Sequence, residues 1–228
     1  MCGRFTQKAT PVELAEAFGL AELPADLGPR YNIAPSQPVM VIANRPGPRR
    51  AELMTWGLVP PWARKPLAPG QLANARSESA AEKPSFRQAL RWRRGLLVMD
   101  GFYEWQTVGK HKQPYWFSLP SQQSFAVAAL WELPNPQGGS GTPTVCLLTT
   151  EPCPAVAPLH DRMPVILPPG AWSTWLSDAP VAPAELQQLL IPWQGELLSR
   201  PVSPRVNRSS TQGPECIEAI APSAPLLL

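Results

Sequence analysis

Position 2 of the chain is a cysteine beside Met1, a place that allows chemistry closed to any internal cysteine. A small second residue is what cellular removal of the first methionine usually requires. Removal leaves an α-amine and a thiol on adjacent carbons of one residue. The amine condenses with an aldehyde to an imine, losing water, and the thiol closes on the imine carbon as a five-membered thiazolidine. An unperturbed α-amine titrates at about 7.7 to 8.0 and a thiol at about 8.5, so roughly a tenth of the amine is neutral and nucleophilic at pH 7. A cysteine at a frayed terminus is also an ordinary chance residue, and Cys2 alone does not separate the two readings.

A reactive terminus needs a folded domain to hold it. The 228 residues suit one domain with a substantial core. A hydrophobic content of 44% and nine tryptophans argue for a packed globule, and 31 prolines for fixed loops and short elements. A formal charge of +3 is that of an ordinary soluble protein and does not by itself point to nucleic acid. The basic residues are mainly arginine, which favours bidentate phosphate contacts over diffuse attraction. The opening MCGRFTQKAT is not a signal peptide, no run of about 18 apolar residues could span a bilayer, and no membrane partner is expected. Cys2, Cys146, Cys153 and Cys216 form neither a CxxC pair nor a secreted disulfide framework, so reduced thiols in a cytoplasm are expected, the last three as buried small hydrophobes. With two histidines in the chain, no metal centre and no cofactor is expected.

The elements that must position Cys2 are short. A helix is predicted over 10–18: Thr10 caps it, Pro11 opens it, Glu13 completes a capping box and Gly19 stops it. Leu14, Ala15 and Phe18 share its inward face. Strands are predicted over 39–43, 52–58, 96–99, 115–119, 125–131 and 145–149, and helices over 78–92, 169–177 and 183–190. No repeat appears at a fixed period. Strands in a run with few helices between them imply a single α+β domain over 1–221, with a strand-rich, mostly antiparallel core and a few short flanking helices. Residues 135–143, with a GGSG core, read as a surface hairpin loop. The basic run Arg91, Arg93 and Arg94 reads as a solvated helix end, and 222–228 as a disordered tail. A monomer is expected.

Seven words then stand in order along the chain: MCGRF at 1–5, RYNIAP at 30–35, WGLVPPWA at 56–63, NARSES at 74–79, GFYEW at 101–105, LWE at 130–132 and HDRMPVIL at 160–167. Each is weak alone. In this order they resemble the SRAP (SOS response-associated peptidase) family, from Met1 to about Ile217. The resemblance implies a protein that senses and shields abasic sites in single-stranded DNA through a covalent cross-link to Cys2. Met1 would be removed by the site itself or by an aminopeptidase, and turnover would be low. Within that reading Cys2 is the nucleophile, Asn74 hydrogen-bonds the amine or the ring-opened sugar, and Glu104 shuttles protons as the imine forms and closes. His160 helps open the sugar ring or protonates the departing oxygen. Glu104 is expected to be desolvated by its neighbours Tyr103 and Trp105, with a raised pKa. Arg4, Arg76 and Arg162 are the expected phosphate contacts, and Trp62 and Trp105 the surfaces for base stacking, with Pro35 and Thr149 on the same DNA-facing groove.

The sequence departs from the family at Gly95, where relatives often carry a small thiol or polar residue, and in the prolines clustered between 58 and 69. Three rivals stay open on the residues alone, the weakest of them a lyase that uses the terminal amine alone and cuts abasic DNA through an imine. Of the other two, one is a cysteine hydrolase in which His160, with Glu104 or Asn74, serves Cys2 as base and orienter. The other is a single-strand-binding module in which Cys2 is incidental.

Overall fold

Alternation along the strands builds two buried faces into the same stretches of chain. Val39, Val41 and Ala43 join one apolar cluster while Met40 and Ile42, between them, join another. A strand apolar on both sides must be covered on both sides, and this requirement organises the molecule.

The computed structural model describes residues 2–24, 28–68, 70–179 and 181–220. The chain runs through β1 (Phe5–Gln7), α1 (Pro11–Phe18), β2 (Arg30–Ile33), β3 (Pro38–Ala43), β4 (Ala51–Trp56) and β5 (Asn74–Arg76). It continues with α2 (Arg87–Trp92), β6 (Arg94–Met99), β7 (Gly101–Val108), β8 (His111–Ser118), β9 (Phe125–Glu132) and β10 (Thr144–Thr150). The last elements are β11 (Met163–Pro164), β12 (Ile166–Leu167), α3 (Trp172–Trp175), α4 (Pro183–Leu189) and β13 (Leu198–Pro201).

These strands form two sheets. The larger has the order β11-β10-β4-β3-β6-β9-β12, with β5 added beside β10. β9 also pairs with β10, so the hydrogen-bonded path returns on itself as a barrel-like core. The smaller sheet, β13-β8-β7-β1-β2, is antiparallel throughout. One face of the larger sheet packs against the helices through Leu14, Phe18, Leu90, Trp172, Trp175 and Leu186. The other packs against the smaller sheet through Phe5, Ile33, Phe102 and Phe117, and Cys2 lies in that layer. Among the described residues the only parallel pairings in the two sheets are those of β10 with β4 and β5, which makes this an α+β domain with a mostly antiparallel core.

α1 forms as its sequence dictates. Thr10 accepts from the Glu13 amide, Glu13 answers the Thr10 amide, and Gly19 closes the helix at φ 62°, the left-handed conformation that suits glycine. Leu14 and Phe18 are buried and Ala15 is half-buried. Elsewhere the structure corrects several expectations. The helix expected over 78–92 is a 3-10 turn at Ser77–Ser79 followed by α2, because Pro84 lacks an amide hydrogen and disfavours helix at the residue before it. The 169–177 helix likewise divides into a 3-10 turn, Pro169–Ala171, and the short α3. The 135–143 connection does join antiparallel strands. It is nonetheless docked rather than free: the Asn135 amide donates to the carbonyls of Pro60 and Ala63, and Gly138 and Ser140 are buried.

Arg94 is the clearest correction. Expected at a solvated helix end, it is fully buried. Its guanidinium donates to the carbonyls of Leu90, Arg91, Trp175 and Ser177, capping the last turns of α2 and α3 together. Arg93 pairs with buried Glu132 at 2.8 Å. Gly95 is explained by close packing, since a Cβ there would lie 2.8 Å from Val41 Cγ1 and 3.2 Å from the Ile42 carbonyl. Cys146, Cys153 and Cys216 are free and buried. Among the described residues no helix is long and apolar enough to cross a membrane. The expected tail at 222–228 lies outside the described residues.

Candidate functional site

The strand that carries the N-terminus to the site is held from both sides. β1 pairs antiparallel with β7, Phe5 opposite Phe102 and Thr6 opposite Gly101. The Tyr103 amide donates to the Arg4 carbonyl at 3.0 Å, so residues 2–4 continue alongside β7 toward Glu104. Asp100 fixes the other end, accepting from the Thr6 hydroxyl and the Lys8 amide, each at 2.5 Å. Cys2 is fully buried in the layer between the sheets, in the same apolar cluster as Phe5, Ala73, Cys153 and Met163. Its thiol lies 3.7 Å from the Arg4 carbonyl. Burial, and then the charge of Glu104, push that thiol well above the usual cysteine range.

Glu104 is 2% exposed. Burial raises its carboxyl to about 7, with Asp161 adding a smaller push in the same direction. The raised value was expected, but for a different reason. Neighbours along a strand point to opposite faces, so Tyr103 and Trp105 pack together on the far side of β7, with ring centroids 6.3 Å apart. It is the layer holding Cys2 and Phe102 that keeps water from Glu104. Among the described residues Glu104 Oε1 has no hydrogen-bond partner, an arrangement that natural cores seldom leave without a function.

His160 reaches the same carboxyl. Its Nε2 lies 3.9 Å from Glu104 Oε2. Its Nδ1 accepts from the Arg162 amide at 2.9 Å and also lies 3.0 Å from Asp161 Oδ1. These two contacts call for opposite states of Nδ1: it accepts from the amide when bare and donates to Asp161 when protonated. Burial lowers the His160 pKa, which favours the neutral ring. The fixed backbone amide then keeps Nδ1 bare and puts the proton on Nε2, facing Glu104.

Asn74 comes to this face through register. β5 runs parallel to β10 with Asn74 beside Leu147, Ala75 beside Leu148 and Arg76 beside Thr149. Leu147 belongs to the layer of Cys2, and Leu148 to the helical side. Asn74 therefore lies on the Cys2 side, and its Oδ1 is buried with no partner among the described residues. Cys2, Glu104 and His160 are thus drawn together by contact and charge, and Asn74 by the face it occupies.

The expected DNA contacts fall into two groups. Arg76 is exposed, and so is Trp62 at 54%. The others have internal partners. Arg4 donates to Asn32 Oδ1 at 2.7 Å and the Val206 carbonyl at 2.9 Å. Buried Arg162 forms a two-pronged pair with Glu78 at 2.9 and 2.7 Å and donates to the Thr149 carbonyl at 2.6 Å. The Thr149 hydroxyl lies 3.4 Å from the Ala75 carbonyl, and Trp105 Nε1 donates to Asn207 at 2.7 Å. Pro35 is half-buried, packed on Gly70 so closely that a Cβ there would meet it at 3.2 Å.

Two residues outside the expected set bear on the site. Burial alone would raise the Glu78 carboxyl, but hydrogen bonds from Arg162 win and hold it below its ordinary value. Asp161 acts on both Glu104 and His160. Both are acidic residues within the seven words; Asp161 adjoins His160 in the chain, which was the available signal for it, whereas Glu78 pairs with Arg162 from 84 residues away, and nothing local announces that pair. Among the described residues no group of three or more His, Cys, Asp or Glu side chains could hold a metal ion.

Comparison with known proteins identifies the family. Residues 1–209 match the family described as SOS response associated peptidase (SRAP). The chain is 38% identical to the abasic site processing protein YoqW of Bacillus subtilis over 223 residues, covering 96% of this chain and all of that one. It is 29% identical to YedK of Escherichia coli, again an abasic site processing protein, with the same coverage. HMCES of Xenopus tropicalis, named likewise, is 32% identical over 73% of this chain and 56% of its own length. A crystal structure of a Bacteroides thetaiotaomicron protein superposes with a TM-score of 0.84 at 21% identity, covering 96% of this chain and all of that one. By the extent of its sequence match the chain belongs to the SRAP family.

Proposed function

We propose that this protein, once Met1 is removed, captures the aldehyde of abasic sites in single-stranded DNA as a thiazolidine on Cys2. The observation that carries the reading is Glu104: a buried carboxyl raised to about 7, with one oxygen unpartnered among the described residues and the other facing His160. A group with that pKa gives and takes protons with nearly equal ease at neutral pH. The Cys2 amine adds to the sugar aldehyde, and Glu104 protonates the resulting hydroxyl so that it leaves as water. The thiol then adds to the imine carbon while its proton passes to the carboxylate just formed. One water is lost overall and Glu104 ends as it began. Asn74 Oδ1, buried and unpartnered among the described residues, is placed to accept from the amine or a sugar hydroxyl. His160 Nε2–H assists opening of the sugar ring.

The buried, strongly protonated thiol supports this order of events over a hydrolase. A hydrolase needs a thiolate ready to attack first, whereas here the thiol acts after the imine is made. Exposed Arg76 and Trp62 are the contacts proposed for phosphate and base. Arg4, Arg162, Thr149, Trp105 and Pro35 serve the groove as its walls. The thiazolidine is the resting product, so turnover is low.

The test is the intact mass of the mature protein after incubation with a single-stranded oligonucleotide bearing one abasic site, followed by denaturation. The expected species is protein plus DNA minus one water, absent for Cys2→Ala. Mature protein with no adduct, or an adduct undiminished in Cys2→Ala, would overturn the proposal.

A further inference from the structure

We infer that the groove between α2 and α4, on the helical side of the larger sheet and remote from the Cys2 layer, docks an acidic peptide segment of a partner protein around one aliphatic side chain. The groove encloses about 640 Å3. Leu90, Leu186, Val181 and Ala81 line it, and Arg87 and Arg91 border it. Leu90 and Leu186 are nearly inaccessible because they also belong to the core, which makes the floor rigid.

The charge pattern selects the occupant. Arg87 and Arg91 are exposed and one helical turn apart, roughly 6 Å at Cβ. Among the described residues neither has an acidic partner in an ion pair, whereas Arg45, Arg93 and Arg162 all do. The Arg91 guanidinium lies over the Trp92 ring, 5.1 Å from its centroid, which restrains it at the rim. Two unneutralised cations beside an apolar floor match carboxylates flanking an apolar anchor. Nucleic acid fits poorly here. Among the described residues no aromatic ring lines the groove for a base to stack on, and the exposed ring of Trp92, next to Arg91 in the chain, has one face covered by that guanidinium. Nothing in this reasoning depends on the chemistry of Cys2.

A fluorescein-labelled peptide Asp-Asp-Leu-Leu-Asp-Asp, titrated with full-length protein and read by anisotropy, tests the inference. The result expected is saturable binding below 1 mM, weakened about tenfold or more in Arg87→Glu/Arg91→Glu and lost when Asn replaces Asp in the peptide. Both arginines are exposed, and the variant is expected to keep wild-type circular dichroism and wild-type cross-linking to abasic DNA. No saturation by 1 mM, or equal binding to wild type and variant, would overturn the inference. So would displacement of the peptide by an undamaged oligo-dT, which would assign the groove to DNA. A concentration-dependent rise in mass that the double variant abolishes would also overturn it, since the occupant would then be a second copy of the chain.

Discussion

Replacing Glu104 by glutamine separates what this residue costs the fold from what it contributes to the site. The carboxyl titrates at about 7 in the folded chain against an ordinary value of 4.5, and each unit corresponds to about 1.4 kcal/mol. Between those two values the native state holds a proton that the unfolded chain has released, so stability falls as pH rises through this window. By pH 8 the wild type carries the whole penalty, about 3 kcal/mol; below about pH 4 it carries none. Glutamine does not ionise. Glu104→Gln is therefore expected to be more stable than wild type at pH 8 by up to about 3 kcal/mol, the advantage shrinking steadily toward pH 4. The new amide also brings a donor that needs a partner, a cost of about 1 to 3 kcal/mol if it finds none. That cost is the same at every pH, so the slope of the difference is the quantity to read. Urea midpoints for both proteins at pH 4, 5, 6, 7 and 8, at constant ionic strength and with equal m-values, give it directly. Parallel curves would refute the reasoning, because they would mean that Glu104 titrates alike in folded and unfolded chains. In the same samples Glu104→Gln should cross-link abasic DNA about a hundredfold more slowly, the scale of a lost general acid–base.

Other substitutions test other parts of the structure. Arg94→Met removes the donor shared by four carbonyls at the ends of α2 and α3, and should lower stability by about 3 kcal/mol or more in urea denaturation, since buried acceptors lose their partner. Gly95→Ala should cost about 1 to 3 kcal/mol, the usual price of overpacking, because the added methyl meets Val41 at 2.8 Å; an unchanged midpoint would contradict the close approach. Trp62→Ala should leave the urea midpoint within about 0.5 kcal/mol, as the ring is largely exposed, while lowering affinity for single-stranded DNA about 5- to 100-fold in a filter-binding assay. A destabilised Trp62→Ala with unchanged DNA affinity would make the ring a structural one.

The residues that the sequence placed most securely are those whose neighbours in the chain determine them. Thr10, Pro11, Glu13 and Gly19 specify α1 without help from the rest of the molecule. The central strands were legible because runs such as Val39–Ala43 are apolar on both faces. What could not be read was set by distant chain. Arg94 looks solvated beside Arg91 and Arg93, yet its partners include Trp175 and Ser177, more than 80 residues away. Trp105 is held by Asn207, and Arg4 by Val206 and Asn32, contacts that no local pattern announces. The raised pKa of Glu104 was foreseen from the wrong neighbours, because position in the chain was taken for position on a face. Asn74 shows the converse: a single register, Asn74 beside Leu147, carries a turn-like residue to the Cys2 layer.

The same burial moves both members of the Glu104–His160 pair, in opposite directions. Loss of water disfavours charge on either group, so the carboxyl rises to about 7 while the imidazole falls below its ordinary value. The carboxyl therefore keeps its proton into the neutral range while the imidazole 3.9 Å away stays uncharged, so no adjacent cation draws that proton off. Had the pair been exposed, the carboxylate would be ionised through the physiological range and unable to protonate a departing hydroxyl. Had it been buried with full hydrogen bonding, Glu104 Oε1 would have no capacity left for substrate. The unpartnered oxygen and the raised pKa are consequently one design feature, since both come from enclosing a carboxyl without giving it a donor. Its cost to the fold is the pH-dependent loss that Glu104→Gln would recover.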